Sequence, residues 1–176
     1  MAVREREQRL RLGEAQDPPE ELTVHGVGRR KNDLVLKLLH DEGVDAYPGS
    51  VAFLHRARDA GYRTAVVSSS ANARDALRSA GIEGLFDAWV DGVRIDAEHL
   101  KGKPAPDTFL RAAEDLGVPP DRAAVLEDAL AGVEAGRAGH FGAVVGVDRH
   151  DQADALREHG ADVVVADLDE LELPQR

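Results

Sequence analysis

Apolar positions along the chain follow two rhythms that alternate through most of its length. From Lys31 onward, Leu34, Val35, Leu38 and Leu39 recur at helical spacing, and Gly43 is placed to stop that helix. Tyr47-Pro48-Gly49-Ser50 then reads as a turn, with Ser50 able to cap a second helix that runs to Ala60 and is closed by Gly61. Beyond it, short apolar runs alternate with helical stretches. Thr64–Ser68, Phe86–Val90, Ala123–Leu126, Ala143–Val147 and Val163–Ala166 are the strand candidates. Helices are expected over about Ala71–Ala80, through Phe109, Leu110, Ala113 and Leu116, around Leu130–Ala138, and over about Gln152–Glu158. Strands that are apolar throughout and separated by helices predict an α/β fold, a Rossmann-like parallel sheet with helices on both faces. Residues 1 to about 27 are charged, contain the breaker Asp17-Pro18-Pro19 and hold nothing like a core strand. The expected division is therefore residues 1–46, an extension with a helical segment, and residues 47–176, an α/β core.

Composition narrows the possibilities. A chain of 176 residues is about one domain's worth, long enough to build a core without staples. At 43% hydrophobic and 31% charged residues it belongs with globular rather than disordered chains. A net charge of -11 argues against nucleic acid or an anionic membrane as partner, though a local cationic pocket stays open. With no cysteine, disulfides, thiolate chemistry and Cys-ligated zinc are excluded. The start, MAVREREQRLRLGEAQ, has charges where a signal peptide needs an apolar stretch, and no run approaches the roughly 18 apolar residues of a membrane span. A cytoplasmic protein is the expectation.

Ligands of open α/β sheets bind beyond the carboxyl ends of the strands. Three polar features fall at such ends or in loops that reach them: Ser68-Ser69-Ser70, Lys103 in Gly102-Lys103-Pro104, and Glu127-Asp128. Each has an ordinary alternative. Serines after a strand are commonly caps, and a lone lysine is commonly solvated. Adjacent carboxylates beside a core strand are harder to dismiss, because they repel unless a cation compensates. Mg²⁺ is typically held by one or two carboxylates plus water and phosphate oxygens, so Glu127 and Asp128 are the metal candidates. Together the three features supply a hydroxyl donor, a fixed cation and a cation-binding pair, the parts phosphoryl transfer uses for positioning and charge neutralisation. The seven histidines are scattered without paired-ligand spacing, and Trp89 and Phe86 read as core residues.

These residues resemble a known family. VVSSSAN (Val66–Asn72), GKPAPDTF (Gly102–Phe109) and VLEDALAGVEAGRAG (Val125–Gly139) are similar to the second, third and fourth motifs of the haloacid dehalogenase superfamily, in its β-phosphoglucomutase-like branch. The resemblance implies a Mg²⁺-dependent phosphosugar phosphotransferase with a HAD-like core and, at the N-terminus, part of a helical cap. By position it implies that Ser68 hydrogen-bonds the transferring phosphoryl group, Lys103 neutralises it, and Glu127 and Asp128 hold Mg²⁺. Ser70 and Asn72 match positions that touch the phosphosugar, and Lys31 and Asn32, in RRKND (Arg29–Asp33), match cap residues that reach the substrate.

One motif of the family has no counterpart. The DxDG that carries the aspartyl nucleophile and the acid/base should end a strand ahead of the cap, and none precedes Lys31. In the family that strand lies between those ending here at Ser68 and Glu127. The expectation is a chain that starts inside the cap, downstream of a longer natural start, unless the two strands close up or another chain fills the place. Loss of a covalent nucleophile costs on the order of 10⁶ in turnover, so this chain alone is expected to be inactive. A non-catalytic phosphosugar-binding or regulatory protein is the alternative. A phospho-receiver domain fits poorly, since its acidic pair comes near the domain start and here the pair follows the lysine.

Overall fold

The computed structural model describes residues 10–173, in two compact units that divide between Gly43 and Val44. The first unit is built around helix α1 (Val24–Asp41). Its start is set by Thr23, which is 1% exposed. The Thr23 hydroxyl accepts from the Gly26 N–H (3.0 Å) and donates to Asp17 (2.7 Å), so one buried side chain caps the helix and ties the preceding loop to it. Arg29 and Arg30 donate to the carbonyls of Ala15 and Pro19, holding the same loop along the helix. The helix begins at Val24, well before the expected start, because the cap is a side-chain signal that hydrophobic spacing does not register.

The second unit is α/β. Its order is α2 (Pro48–Asp59), β1 (Ala65–Val67), α3 (Ala73–Ser79), β2 (Ala88–Val90), α4 (Gly92–Ala97), α5 (Asp107–Leu116), β3 (Ala124–Glu127), α6 (Leu130–Ala138), β4 (Ala143–Val147), α7 (Ala153–Glu158) and β5 (Val163–Val165). Ser50 does not cap α2. Pro48 occupies the first helical position, where a missing N–H costs nothing, and the Ser50 hydroxyl instead accepts from Arg149 at 3.1 Å. Helix α4, too short for a periodic signal, starts from the buried Asp91, whose carboxylate accepts from the Arg94 N–H.

All pairings between named strands are parallel, but they form two ladders. β1 pairs with β2, with Val66 opposite Trp89, and β3-β4-β5 form a second ladder, with Val125 opposite Val144. Among the described residues, β1 and β3 share no ladder. Helices α5, α6 and α7 pack in turn on β1–β2, β3–β4 and β4–β5. Among the described residues two apolar clusters stand out in the core: Phe109, Val125 and Ala135, with Val67 and Phe141 against them, and Val133, Val144 and Leu156 under α6 and α7. Val67 in the first cluster places β1 over the same apolar base as β3. Burial is uneven. β4 is almost wholly buried, whereas every residue of β1 is only half-buried, the reverse of what a strand flanked by two others shows. No helix among the described residues is long and apolar enough to cross a membrane.

Polar ties fix the α4–α5 side. Arg94 makes a two-pronged ion pair with Asp115, donates to Glu98 at 2.7 Å and to the Trp89 carbonyl at 2.9 Å, and Arg111 closes the network on Glu98. The Arg94 hydrogen bonds hold the Asp115 carboxyl below its usual range, against the opposing effect of burial. A carboxyl depressed in the folded state adds stability above its unfolded pKa, and that stability is lost as pH falls through the folded value. Asp115→Asn should therefore lower the urea midpoint at pH 7. The gap from the parent protein should narrow below about pH 4 and close in stronger acid, as urea titrations across that range will show.

Candidate functional site

Two loops and one strand end meet at the carboxyl ends of β1 and β3. The β1 chain leaves the ladder through the Ser68 N–H, which donates to the Val90 carbonyl at 2.9 Å. It then folds into a compact serine turn: Ser70 N–H donates to the Ser68 hydroxyl, and Asn72 N–H to the Ser70 hydroxyl, each at 3.2 Å. Asp91-Gly92, at the end of β2, supports this turn. A side chain at Gly92 would put its Cβ 2.7 Å from Ser69 O, so only glycine permits the approach, and the Gly92 N–H donates to the Ser70 carbonyl. Ser68 is half-buried, while Ser69 and Ser70 are exposed.

Lys103 spans the interval between the ladders. Its ammonium donates to the Val67 carbonyl (3.4 Å), lies 4.7 Å from the centre of the Phe109 ring, and forms an ion pair with Glu127 at the end of β3. Its side chain is 15% exposed and that of Glu127 9%. The other Glu127 oxygen accepts from the Ala129 N–H at 3.3 Å. Gly132 makes room for this carboxylate, since a Cβ there would lie 2.2 Å from its carboxyl carbon. Asp128 is exposed, and its carbonyl accepts from Gln152 at 2.7 Å, which fixes the turn into α6.

Val67, Leu126, Glu127 and Asp128 line a cavity of about 300 Å³ that also takes in Tyr47, Ser50, Val147, Arg149 and Leu168. Arg149 is a residue the sequence reading passed over. Its guanidinium lies 3.9 Å from the centre of the Tyr47 ring and pairs with Asp167 at 3.3 Å. That bond holds the Asp167 carboxyl below its usual range. The signal for Arg149 was its position just past the end of β4, the same signal that marked Ser68 and Glu127.

The structure thus brings Ser68, Lys103, Glu127 and Asp128 to one end of the strands, with Ser70 and Asn72 in the adjoining turn. Lys31 is exposed and Asn32 half-buried on α1, within the first unit. Among the described residues no three His, Asp or Glu side chains gather to hold an ion by themselves. Glu127 and Asp128 line one open depression, and carboxylates beside water are the type of donor Mg²⁺ takes, since that ion uses few protein ligands and fills its shell with water and phosphate oxygens.

Parallel strands, this set of side chains and the chain's similarity to known proteins define its class. The haloacid dehalogenase-like hydrolase family matches residues 2–140, and the chain belongs to that family, in its β-phosphoglucomutase-like branch. Among curated proteins it is 56% identical over 162 residues to a β-phosphoglucomutase of Mycobacterium tuberculosis, covering 90% of this chain and 62% of that protein. Among solved structures it is similar to β-phosphoglucomutase from Clostridium difficile (27% identity, TM-score 0.72, 87% of this chain and 64% of that one). It is also similar to CbbY from Rhodobacter sphaeroides in complex with xylulose-1,5-bisphosphate (25% identity, TM-score 0.70, 88% and 68%). The chain therefore spans about three fifths of the length of the curated β-phosphoglucomutase it matches.

Proposed function

We propose that this chain carries the phosphate- and cation-handling part of a Mg²⁺-dependent phosphosugar phosphotransferase of the β-phosphoglucomutase type. The observation that supports this reading best is the meeting of Lys103 and Glu127 at the carboxyl ends of β1 and β3, where Glu127 and Asp128 line an open depression. In this reading the Ser68 hydroxyl donates to an oxygen of the transferring phosphoryl group, and the Lys103 ammonium neutralises a second. Glu127 and Asp128 hold Mg²⁺, which when bound withdraws charge from the phosphoryl oxygens. Ser70 and Asn72 orient the sugar, and Lys31 and Asn32 are further substrate contacts in this reading. The relatives' names point to phosphorylated sugars as the substrate class.

The step this chain does not supply is nucleophilic attack. Its one Asp-x-Asp, Asp167-Leu168-Asp169, is followed by Glu170 rather than glycine. Asp167 there caps a short 3-10 turn and pairs with Arg149. A strand bearing the nucleophile would sit between β1 and β3, which share no ladder among the described residues.

A calorimetric titration of the protein with glucose 1-phosphate, with and without Mg²⁺, tests the reading. Binding that needs Mg²⁺, without turnover, is the expected result. No binding under either condition would overturn the site, and turnover by the 176-residue chain would overturn the missing nucleophile. A second reading is a phosphosugar-binding protein that does no chemistry, favoured by the assembly of Ser68, Lys103 and Glu127 without that strand. Co-expression with the portion of the M. tuberculosis relative that this chain does not cover separates the two, since only the first predicts that turnover appears.

A further inference from the structure

Lys103 and Glu127 occupy each other. Both side chains are largely withdrawn from water, so neither can leave its partner without exposing an uncompensated charge to a poorly solvating environment. An anion arriving alone must take Lys103 from Glu127, and a divalent cation arriving alone must take Glu127 from Lys103. Either event strands one member of the pair. When both arrive, the partners exchange: the carboxylate turns to the cation, the ammonium turns to the anion, and no charge is left over.

The surroundings suit such an exchange. The Val67 carbonyl and the Phe109 ring keep the ammonium at the strand end when its carboxylate partner changes. Ala129 N–H and the open face at Gly132 keep the Glu127 carboxylate beside the turn carrying Asp128. We propose that the Lys103–Glu127 pair is a mutual latch that makes oxyanion and divalent-cation binding at this site positively cooperative. It rests on the reading that Ser68, Lys103, Glu127 and Asp128 form a phosphate and Mg²⁺ site, and it goes further in assigning the pair a regulatory role that neither ligand site implies alone.

Isothermal titration of the 176-residue protein with MgCl₂, in the absence and presence of inorganic phosphate, reads the coupling directly. The expected result is a fall of about tenfold in the Mg²⁺ dissociation constant when phosphate is present, with the reciprocal fall for phosphate in Mg²⁺. Lys103→Gln separates the latch from simple attraction between the two ligands. With Glu127 released, Mg²⁺ alone should bind this variant more tightly than the parent, and phosphate should improve Mg²⁺ binding by less than twofold. Equal Mg²⁺ affinity with and without phosphate in the parent overturns the latch, and so does full coupling retained in Lys103→Gln. Binding of neither ligand in any combination overturns the underlying site instead. A thermal melt of each variant, read at Trp89, confirms that the titrated protein is folded.

Discussion

Replacing Leu156 with alanine should cost the α/β unit about 2–5 kcal/mol, a large part of the roughly 5–15 kcal/mol that holds a domain of this size together. Leu156 is fully buried and is the one buried residue of α7, a helix of only six residues. It packs with Val133 of α6 and Val144 of β4, while Leu130, Phe141, Ala161 and Val164 close around them. So short a helix has little stability of its own and is held by its packing. Truncating this side chain leaves a cavity and also removes the anchor that binds α7 to β4 and β5. The fluorescence of Trp89, the single tryptophan, follows urea unfolding of this unit. The midpoint should fall with little change in slope. Leu110→Ala, on a side chain that is 37% exposed, should shift it far less. Equal shifts for the two substitutions would show that the second core cluster is not where the unit's stability resides.

The same burial explains which parts of the fold could be read from residues alone. β4 and α6 run from Ala143 to Val147 and from Leu130 to Ala138, the spans that the apolar pattern predicts, because both are packed so closely that nearly every position must be small or apolar. Elements set by single side chains escaped the pattern. The start of α1 depends on the Thr23 hydroxyl, and α4 on the Asp91 carboxylate, and neither produces a periodic signal. Ser50 looked like a cap because it follows a turn, but its role was decided by Arg149, ninety-nine positions away. Strand partners are also non-local. The residues of β1 and β3 suit a central position in one sheet, and their separate ladders are signalled by the missing DxDG strand that the resemblance places between them, not by their own composition. At the site, the residue types and their places at strand ends were legible. The Lys103–Glu127 contact, across twenty-four positions, was not, nor was the space that Gly132 leaves for it.

Removing the Glu127 carboxylate should be costly in a way that removing both charges is not. Among the described residues, Glu127→Ala leaves the Lys103 ammonium, 15% exposed, with only a carbonyl and an aromatic ring as partners, and should destabilise the unit by about 3 kcal/mol. Lys103→Met combined with Glu127→Leu preserves volume and strands no charge, so its urea midpoint should return most of the way to that of the parent. The exposed pair Arg157–Asp154 provides the contrast. With side chains 56% and 95% exposed, it gains little from its geometry, and Asp154→Ala should change stability by less than about 1 kcal/mol. A double variant no more stable than Glu127→Ala would mean that the carboxylate acts through its bond to Ala129 rather than through Lys103. If stability does return, an apolar pair serves the fold nearly as well as the charged one. The charges at the ends of β1 and β3 are then explained by ligand binding rather than folding, and the stable double variant should take up neither Mg²⁺ nor phosphate at that site.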